Sequence, residues 1–108
     1  MSENKTGAEK LRQVLKTLDG KNILVLGYGR EGRETLRRLL DWCEGVTLTV
    51  ADQKEQQLPE GVAGIFGEGY QDTLSDYDVV IKSPGIVLKD KSPRMIDKVT
   101  SQTELFLR

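Results

Sequence analysis

Histidine is absent from this 108-residue sequence, and cysteine occurs only once, at Cys43. Without histidine the chain can form neither a Ser-His-Asp or Cys-His catalytic pair nor a histidine-ligated zinc site. A single cysteine can form neither an internal disulfide nor a thiolate metal cluster, which fits a reduced, cytoplasmic setting. Chemistry here must therefore use carboxylates, lysines or a bound nucleotide, or belong to another part of a longer protein.

A large net charge and a long apolar run are also missing. Lys and Arg number 16 against 17 Asp and Glu, so the net charge is −1 and no nucleic-acid or membrane partner is expected. No apolar run approaches the roughly 18 residues that a membrane span needs. Residues 1–5 are polar, lack the apolar core of a signal peptide and are predicted to be a disordered tail. The length predicts one domain.

The most informative stretch is a glycine-rich turn in which Gly27, Gly29 and Gly32 have the spacing G-x-G-x-x-G. The apolar run 23–26 precedes the turn and predicts a strand. A helical pattern follows the turn, with apolar residues at i, i+3, i+4 and i+7: Leu36, Leu39, Leu40 and Cys43. A strand, a glycine turn and a helix in this order are typical of nucleotide-binding units.

Each glycine has a predicted role in such a unit. Gly27 makes the turn out of the strand, Gly29 lets a phosphate approach the backbone, and Gly32 lets the helix pack closely. The unpaired N–H groups and the positive dipole end of the helix favour a diphosphate. Asp52, 20 residues beyond Gly32, is placed to accept hydrogen bonds from ribose hydroxyls. The alternative is a glycine-rich turn without a ligand, together with a surface aspartate.

The remaining apolar segments predict an α/β fold. A capping box at Thr6 begins a helix over 6–19, which we expect to cover a face or an edge of the sheet. Right-handed crossovers give a mostly parallel sheet of order 3-2-1-4 in a Rossmann-like, three-layer domain with strand 1 central. Strands are predicted at 23–26, 46–50, 62–66 and 79–81, and one or two helical turns at 70–74.

Two later segments complete the prediction. The loop 82–86, K-S-P-G-I, follows strand 4 and should face the glycine turn across the crevice at which such sheets bind ligands. A second capping box, Ser101-x-x-Glu104, starts a helix near the end of the sequence. We therefore expect a domain over 6–100, with 101–108 as the start of a linker helix to a further domain.

Several segments together carry a family resemblance: G-K-N-I-L-V-L-G-Y-G-R-E-G, V-A-D-Q, D-V-V-I-K-S-P-G-I and T-S-Q-T-E-L-F-L. From residue 20 to 108 the sequence resembles the N-terminal domain of the MurD ligases, the UDP-N-acetylmuramoylalanine–D-glutamate ligases of peptidoglycan synthesis. The glycine turn is shared with many folds. The S-P-G-I loop and the T-E-L-F-L segment are more specific.

The resemblance implies a three-domain enzyme that serves cell wall biogenesis, and thereby cell shape and division. Its N-terminal domain would hold the UDP part of UDP-N-acetylmuramoyl-L-alanine, and missing central and C-terminal domains would bind ATP with magnesium and help to bind D-glutamate. The reaction forms an amide through an acyl phosphate and releases ADP. The 108 residues contain no G-K-[ST] phosphate loop, so no cofactor is expected in this fragment and it should be inactive alone.

The resemblance also assigns site residues by position. Gly27, Gly29, Arg30, Glu31 and Gly32 fall next to the diphosphate. Asp52, Gln53 and Lys54 fall at the uridine end, and Ser83, Pro84 and Gly85 near the sugar and phosphates. Family members often carry small or neutral residues where Arg30 and Glu31 stand. Arg30 would add a phosphate contact, whereas Glu31 would oppose one unless its side chain points away.

Two other functions remain open at this stage. The first is an NAD-type dinucleotide-binding domain of an oxidoreductase or a nucleotide sensor, which the glycine turn and Asp52 fit equally well. The S-P-G-I loop fits that function poorly. The second is an interaction domain that binds neither nucleotide.

Overall fold

The computed structural model describes residues 7–106, apart from the side chains of Ala8 and Phe106. The predicted tail 1–5 and the predicted cap Thr6 lie outside this range. A short 3-10 helix, Leu74–Asp76, begins at the last residue of the predicted helical turns 70–74, and residues 70–73 form non-helical turns. The helices are α1 (Gly7–Lys16), α2 (Arg30–Trp42), α3 (Pro93–Lys98) and α4 (Gln102–Phe106); the strands are β1 (Asn22–Leu26), β2 (Thr47–Asp52), β3 (Ala63–Phe66), β4 (Val79–Lys82) and β5 (Val99–Thr100).

All described strands pair in parallel, in the order β3-β2-β1-β4-β5. The predicted order 3-2-1-4 is therefore confirmed, with β1 in the centre. Leu24 of β1 lies opposite Thr49 of β2 on one side and Val80 of β4 on the other. The strand β5 was not predicted; it adds a two-residue edge beside β4.

The central strand β1 is buried on both faces. Ile23 and Val25 belong to one apolar cluster, which includes Leu15 of α1 and Leu36 of α2. Leu24 belongs to a second cluster, which includes Leu74 of the 3-10 helix and Met95 of α3. Helices therefore cover both faces of the sheet, as the three-layer prediction requires. None of the described helices is long and apolar enough to cross a lipid bilayer.

The helix α1 packs on a face of the sheet, beside α2. Its Leu15 is fully buried, and Leu18 in the following turn is 4% exposed. The Arg12 guanidinium lies over the ring of Trp42, at the last residue of α2, 4.7 Å from the ring centroid. This contact joins the exposed sides of the two helices.

The predicted apolar face of α2 needs a correction. Leu36 and Leu39 are buried, but Leu40 is 44% exposed. The buried stripe also includes Thr35, so it is shifted around the helix and leaves Leu40 at its rim. Cys43 is not inside the helix but caps its C-terminal end, where its N–H donates to Leu39 O at 3.0 Å. Its half-buried side chain still packs against the core, and Sγ donates to Leu15 O at 3.2 Å.

Candidate functional site

The glycine turn between β1 and α2 has a shape that other residues would not tolerate. Gly27 has φ +94°, and a Cβ there would lie 2.9 Å from Ser83 Oγ. At Gly32 a Cβ would lie 2.0 Å from the backbone oxygen of Gly27, so the first turn of α2 rests directly on the turn before it. Both positions therefore require glycine, one for its backbone angle and space, the other for space alone.

Gly29 differs from the other two glycines of the motif. It is exposed at the N-cap of α2, and a Cβ there would meet no atom within 4 Å. The Arg33 N–H donates to Gly29 O at 2.9 Å, which is the first bond of the helix. The N–H groups of residues 30–32 precede that bond, as at any helix start, and lie at the positive end of the helix dipole. The open space beside Gly29 thus lies next to the unpaired N–H donors at the start of α2.

The loop after β4 forms the opposite side of this space. The Ser83 N–H donates to Leu26 O at 2.9 Å, which extends the pairing of β4 with β1. The Ser83 hydroxyl donates to Gly27 O at 3.3 Å. The hydroxyl that was expected near a ligand therefore holds the glycine turn. The loop then turns back, with the Ile86 N–H donating to Ser83 O at 3.1 Å.

Two side chains that the sequence did not single out brace this loop. The half-buried Lys82 ammonium donates to Ser83 O at 2.9 Å and to Ile86 O at 2.7 Å. Gln71, 8% exposed, donates from Nε2 to Val87 O and accepts from the Lys89 N–H with Oε1, both at 3.0 Å. A charge-assisted clamp and a side-chain amide thus hold consecutive parts of the loop.

Asp52 connects the end of β2 to the glycine turn. Its Oδ2 accepts the Tyr28 N–H at 2.7 Å, and its Oδ1 accepts the Lys54 N–H at 3.0 Å. The Gln56 amide also donates to Oδ2, at 3.3 Å. The carboxylate that was expected to meet a ribose therefore also fixes the backbone of the turn.

These parts enclose an open cleft of about 460 Å³ at the carboxyl ends of the central strands. Most of the predicted site residues come together there, along with Tyr28 and Ile86, which were not predicted. The cleft is lined by Gly27, Tyr28, Gly29, Arg30, Glu31, Asp52, Ser83, Pro84, Gly85 and Ile86.

Three predicted site residues do not line the cleft. Gly32 is buried beneath the glycine turn, and the side chains of Gln53 and Lys54 are exposed beyond β2. Lys54 contributes only its backbone N–H, to Asp52. The resemblance assigns Gln53 and Lys54 to the uridine end, and this assignment stays a prediction.

The two charged residues of the turn have different surroundings. Arg30 is exposed on the wall of the cleft. Glu31 is half-buried and also lines a second, very small cavity together with Lys82. The cleft lining thus includes both the Arg30 cation and the Glu31 carboxylate.

The fold is shared with a solved structure, but the likeness extends to the fold alone. Shikimate dehydrogenase 1 from Peptoclostridium difficile matches 86% of this chain and 37% of its own, with a TM-score of 0.57 and 18% sequence identity. No model of a known protein family matches the chain.

Curated relatives agree with the resemblance seen in the sequence. UDP-N-acetylmuramoylalanine–D-glutamate ligase of Aliivibrio fischeri strain MJ11 is 35% identical over an alignment 97 residues long, which covers 80% of this chain and 22% of the ligase. The enzyme of the same name from Aliivibrio salmonicida is 37% identical over an alignment 73 residues long, which covers 63% of this chain and 16% of the ligase. The chain thus spans about a fifth of the length of the relatives it matches. The predicted resemblance is confirmed: over most of its length this chain is similar to part of the UDP-N-acetylmuramoylalanine–D-glutamate ligases.

Proposed function

We propose that this chain is the N-terminal, substrate-binding domain of a UDP-N-acetylmuramoylalanine–D-glutamate ligase, and that its cleft holds the UDP part of UDP-N-acetylmuramoyl-L-alanine. The observation that carries the proposal is the meeting of the glycine turn, Asp52 and the S-P-G-I loop around one cleft. The glycine turn and Asp52 suit many nucleotides. The S-P-G-I loop and the similarity to the ligases favour UDP.

In the proposed complex the diphosphate lies against the start of α2. The open space at Gly29 and the N–H groups of residues 30–32 suit an anion. Arg30 adds positive charge on the exposed side of the cleft. Asp52 accepts one donor from the uridine end. The role of this chain is thus to bind and orient the nucleotide.

Catalysis is proposed to need the rest of the ligase. ATP and magnesium would bind in the central domain, where ATP would supply the phosphoryl group of the acyl phosphate and leave as ADP, and D-glutamate would bind with help from the C-terminal domain. The 108 residues contain no G-K-[ST] loop for the ATP phosphates. We expect the purified chain to hydrolyse no ATP. Detectable ATP hydrolysis by the parent chain that Asp52→Ala abolishes would contradict this expectation.

Calorimetric or NMR titration with UDP and with NAD tests the proposal. UDP should bind more tightly than NAD. Its affinity should nevertheless be low, since other domains would supply further contacts. A hydrogen bond to a charged group contributes about 1.5–3 kcal/mol, so Asp52→Ala should weaken UDP roughly 10- to 100-fold. Gly29→Leu should weaken UDP at least as much, because it fills the space at the start of α2.

The control for Asp52→Ala is Asp41→Ala, which removes the same charge from an exposed site near the other end of α2. It should leave UDP affinity within twofold. Parent-like UDP binding by Asp52→Ala would refute the uridine-end assignment. If NAD outcompetes UDP, the dinucleotide-binding alternative replaces the ligase proposal.

A further inference from the structure

The Asp52 carboxylate is almost fully occupied by donors from its own chain. Oδ2 accepts from the Tyr28 N–H and from Gln56 Nε2, and Oδ1 accepts from the Lys54 N–H. A carboxylate offers about four acceptor positions, so one position remains, on Oδ1. A ligand in the cleft would therefore give Asp52 a single hydrogen bond, and the direction of that bond depends on how the other three hold the group.

The orientation of the Gln56 amide is set by its second partner. Its Oε1 accepts from Arg33 Nη2 at 2.6 Å. Because a guanidinium carries only donors, the amide oxygen must face Arg33, and the amide nitrogen is left to face Asp52. Arg33 thus determines that Gln56 is a donor to the carboxylate.

Arg33 is itself held against the glycine turn. Its guanidinium lies 4.8 Å from the ring centroid of Tyr28, whose side chain is 5% exposed. A cation over an aromatic face is a stabilising contact. Since the Tyr28 N–H donates to Asp52, the contacts close on themselves through Asp52, Gln56, Arg33 and Tyr28. We call these four residues the carboxylate ring.

Arg33 and Gln56 do not line the cleft, but Gln56 donates to the Asp52 carboxylate, which does, and Arg33 acts on that carboxylate through Gln56. We infer that Arg33 and Gln56 are positioning residues, which hold the free acceptor of Asp52 toward the nucleoside end of a bound nucleotide. The inference rests on the proposed function. The inference predicts different effects at the two ends of the ligand, because the carboxylate ring acts on the nucleoside end, whereas the diphosphate meets the start of α2.

The decisive variant is Gln56→Glu. A glutamate still accepts from Arg33, so it keeps the tie between the loop after β2 and α2. It cannot donate to Asp52 and adds a like charge beside it. A loss of UDP affinity that the neutral Gln56→Ala variant shares comes from the missing donor to Asp52 rather than from the added charge.

The experiment titrates the parent, Gln56→Glu, Gln56→Ala and Arg33→Ala with UDP and with inorganic pyrophosphate. Each variant should weaken UDP about 3- to 10-fold, as expected for one lost hydrogen bond, and Gln56→Glu at least as much as Gln56→Ala. Pyrophosphate affinity of the Gln56→Ala variant should stay within twofold of the parent. Arg37→Ala, an exposed site one turn further along α2, controls for the lost charge of Arg33→Ala.

The inference is overturned if both Gln56 variants bind UDP as tightly as the parent does. It is also overturned if Gln56→Ala lowers the affinities for UDP and for pyrophosphate equally. If the parent binds no UDP, the proposed function fails, and the carboxylate ring is then judged by hydrogen exchange of the Tyr28 amide. Faster exchange in Gln56→Ala supports the positioning of Asp52 by Gln56. Unchanged exchange overturns it.

Discussion

The two walls of the cleft are built in different ways. The wall at the start of α2 takes its shape from missing side chains, since a Cβ at Gly27 would lie 2.9 Å from Ser83 Oγ and a Cβ at Gly32 would lie 2.0 Å from Gly27 O. The wall after β4 takes its shape from added side chains, since Lys82 and Gln71 hold the loop by its backbone carbonyls and N–H groups. The first wall is therefore sensitive to atoms added at Gly27 or Gly32, and the second to substitutions that remove polar groups.

We call the wall at Gly27 and Gly32 the glycine wall. Substitutions in it should lower the free energy of unfolding most. Gly32→Ala places a Cβ 2.0 Å from Gly27 O, which is a backbone atom and cannot rotate away as the end of a flexible side chain could. Overpacking typically costs about 1–3 kcal/mol, and we expect the upper end of that range or more because the opposing atom is backbone. Urea denaturation monitored by circular dichroism measures the change.

Gly29→Ala is the matched control, because its Cβ would meet nothing within 4 Å and its φ is −85°. It should change the free energy of unfolding by less than about 1 kcal/mol. Equal losses for Gly29→Ala and Gly32→Ala would contradict the distinction between the two glycines.

We call the wall held by Lys82 and Gln71 the braced wall. Substitutions in it should lower the free energy of unfolding less than Gly32→Ala does, but should change the local order of the loop more. Lys82→Met keeps the aliphatic stem and removes the ammonium that joins Ser83 O to Ile86 O. Loss of hydrogen bonds from a charged group predicts a decrease of about 1–3 kcal/mol. Hydrogen exchange should show faster opening of residues 83–89 while β1 keeps its protection.

Lys91→Met, at an exposed position before α3, is the control for the lost charge. It should leave both stability and exchange as in the parent. Uniform loss of protection across the sheet in Lys82→Met would show that Lys82 supports the whole fold rather than this wall.

The smallest effect is expected at Cys43, which belongs to neither wall. Burial, together with the nearby Asp19, raises the pKa of its thiol to about 11 from the ordinary 9.0. The difference, 11 − 9.0 = 2 units, predicts roughly 100-fold less thiolate near pH 8, and iodoacetamide should alkylate it correspondingly slowly. The alkylation rate should keep rising up to about pH 11; a plateau near pH 9 would contradict the shift.

The same shift gives a pH dependence of stability. The thiol is protonated more firmly in the folded than in the unfolded chain, so its stabilisation is present below pH 9 and lost as the pH rises through about 11. Cys43→Ser should remove this dependence and leave UDP affinity unchanged, as the thiol does not line the cleft.

The contrast between the walls also explains what the sequence could predict. The glycine wall was predictable because its requirement is local, one small residue at each of a few fixed spacings, and the strand order followed from right-handed crossovers. The braces were not predictable. Gln71 holds residues 87 and 89 across a turn, and Lys82 contacts its own loop, so neither contact leaves a periodic pattern.

Other differences have equally specific causes. The strand β5 pairs through only two residues, Val99 and Thr100, which is too short for an alternating pattern to show. Leu40 matched the helical spacing, but spacing alone does not reveal that the buried stripe is shifted toward Thr35. Asp52 was predicted as a ligand contact, and its additional tie to the Tyr28 N–H depends on three-dimensional proximity across 24 positions.

The contact between Arg12 and Trp42 has an optical consequence. Trp42 is the single tryptophan of the sequence, and it ends the helix whose first residue, Arg30, lines the cleft. At 1.5 Å per residue those two positions are roughly 18 Å apart along the helix axis. We therefore expect intrinsic tryptophan fluorescence to report the docking of α1 against α2, through the cation above the indole ring, and to be insensitive to occupancy of the cleft.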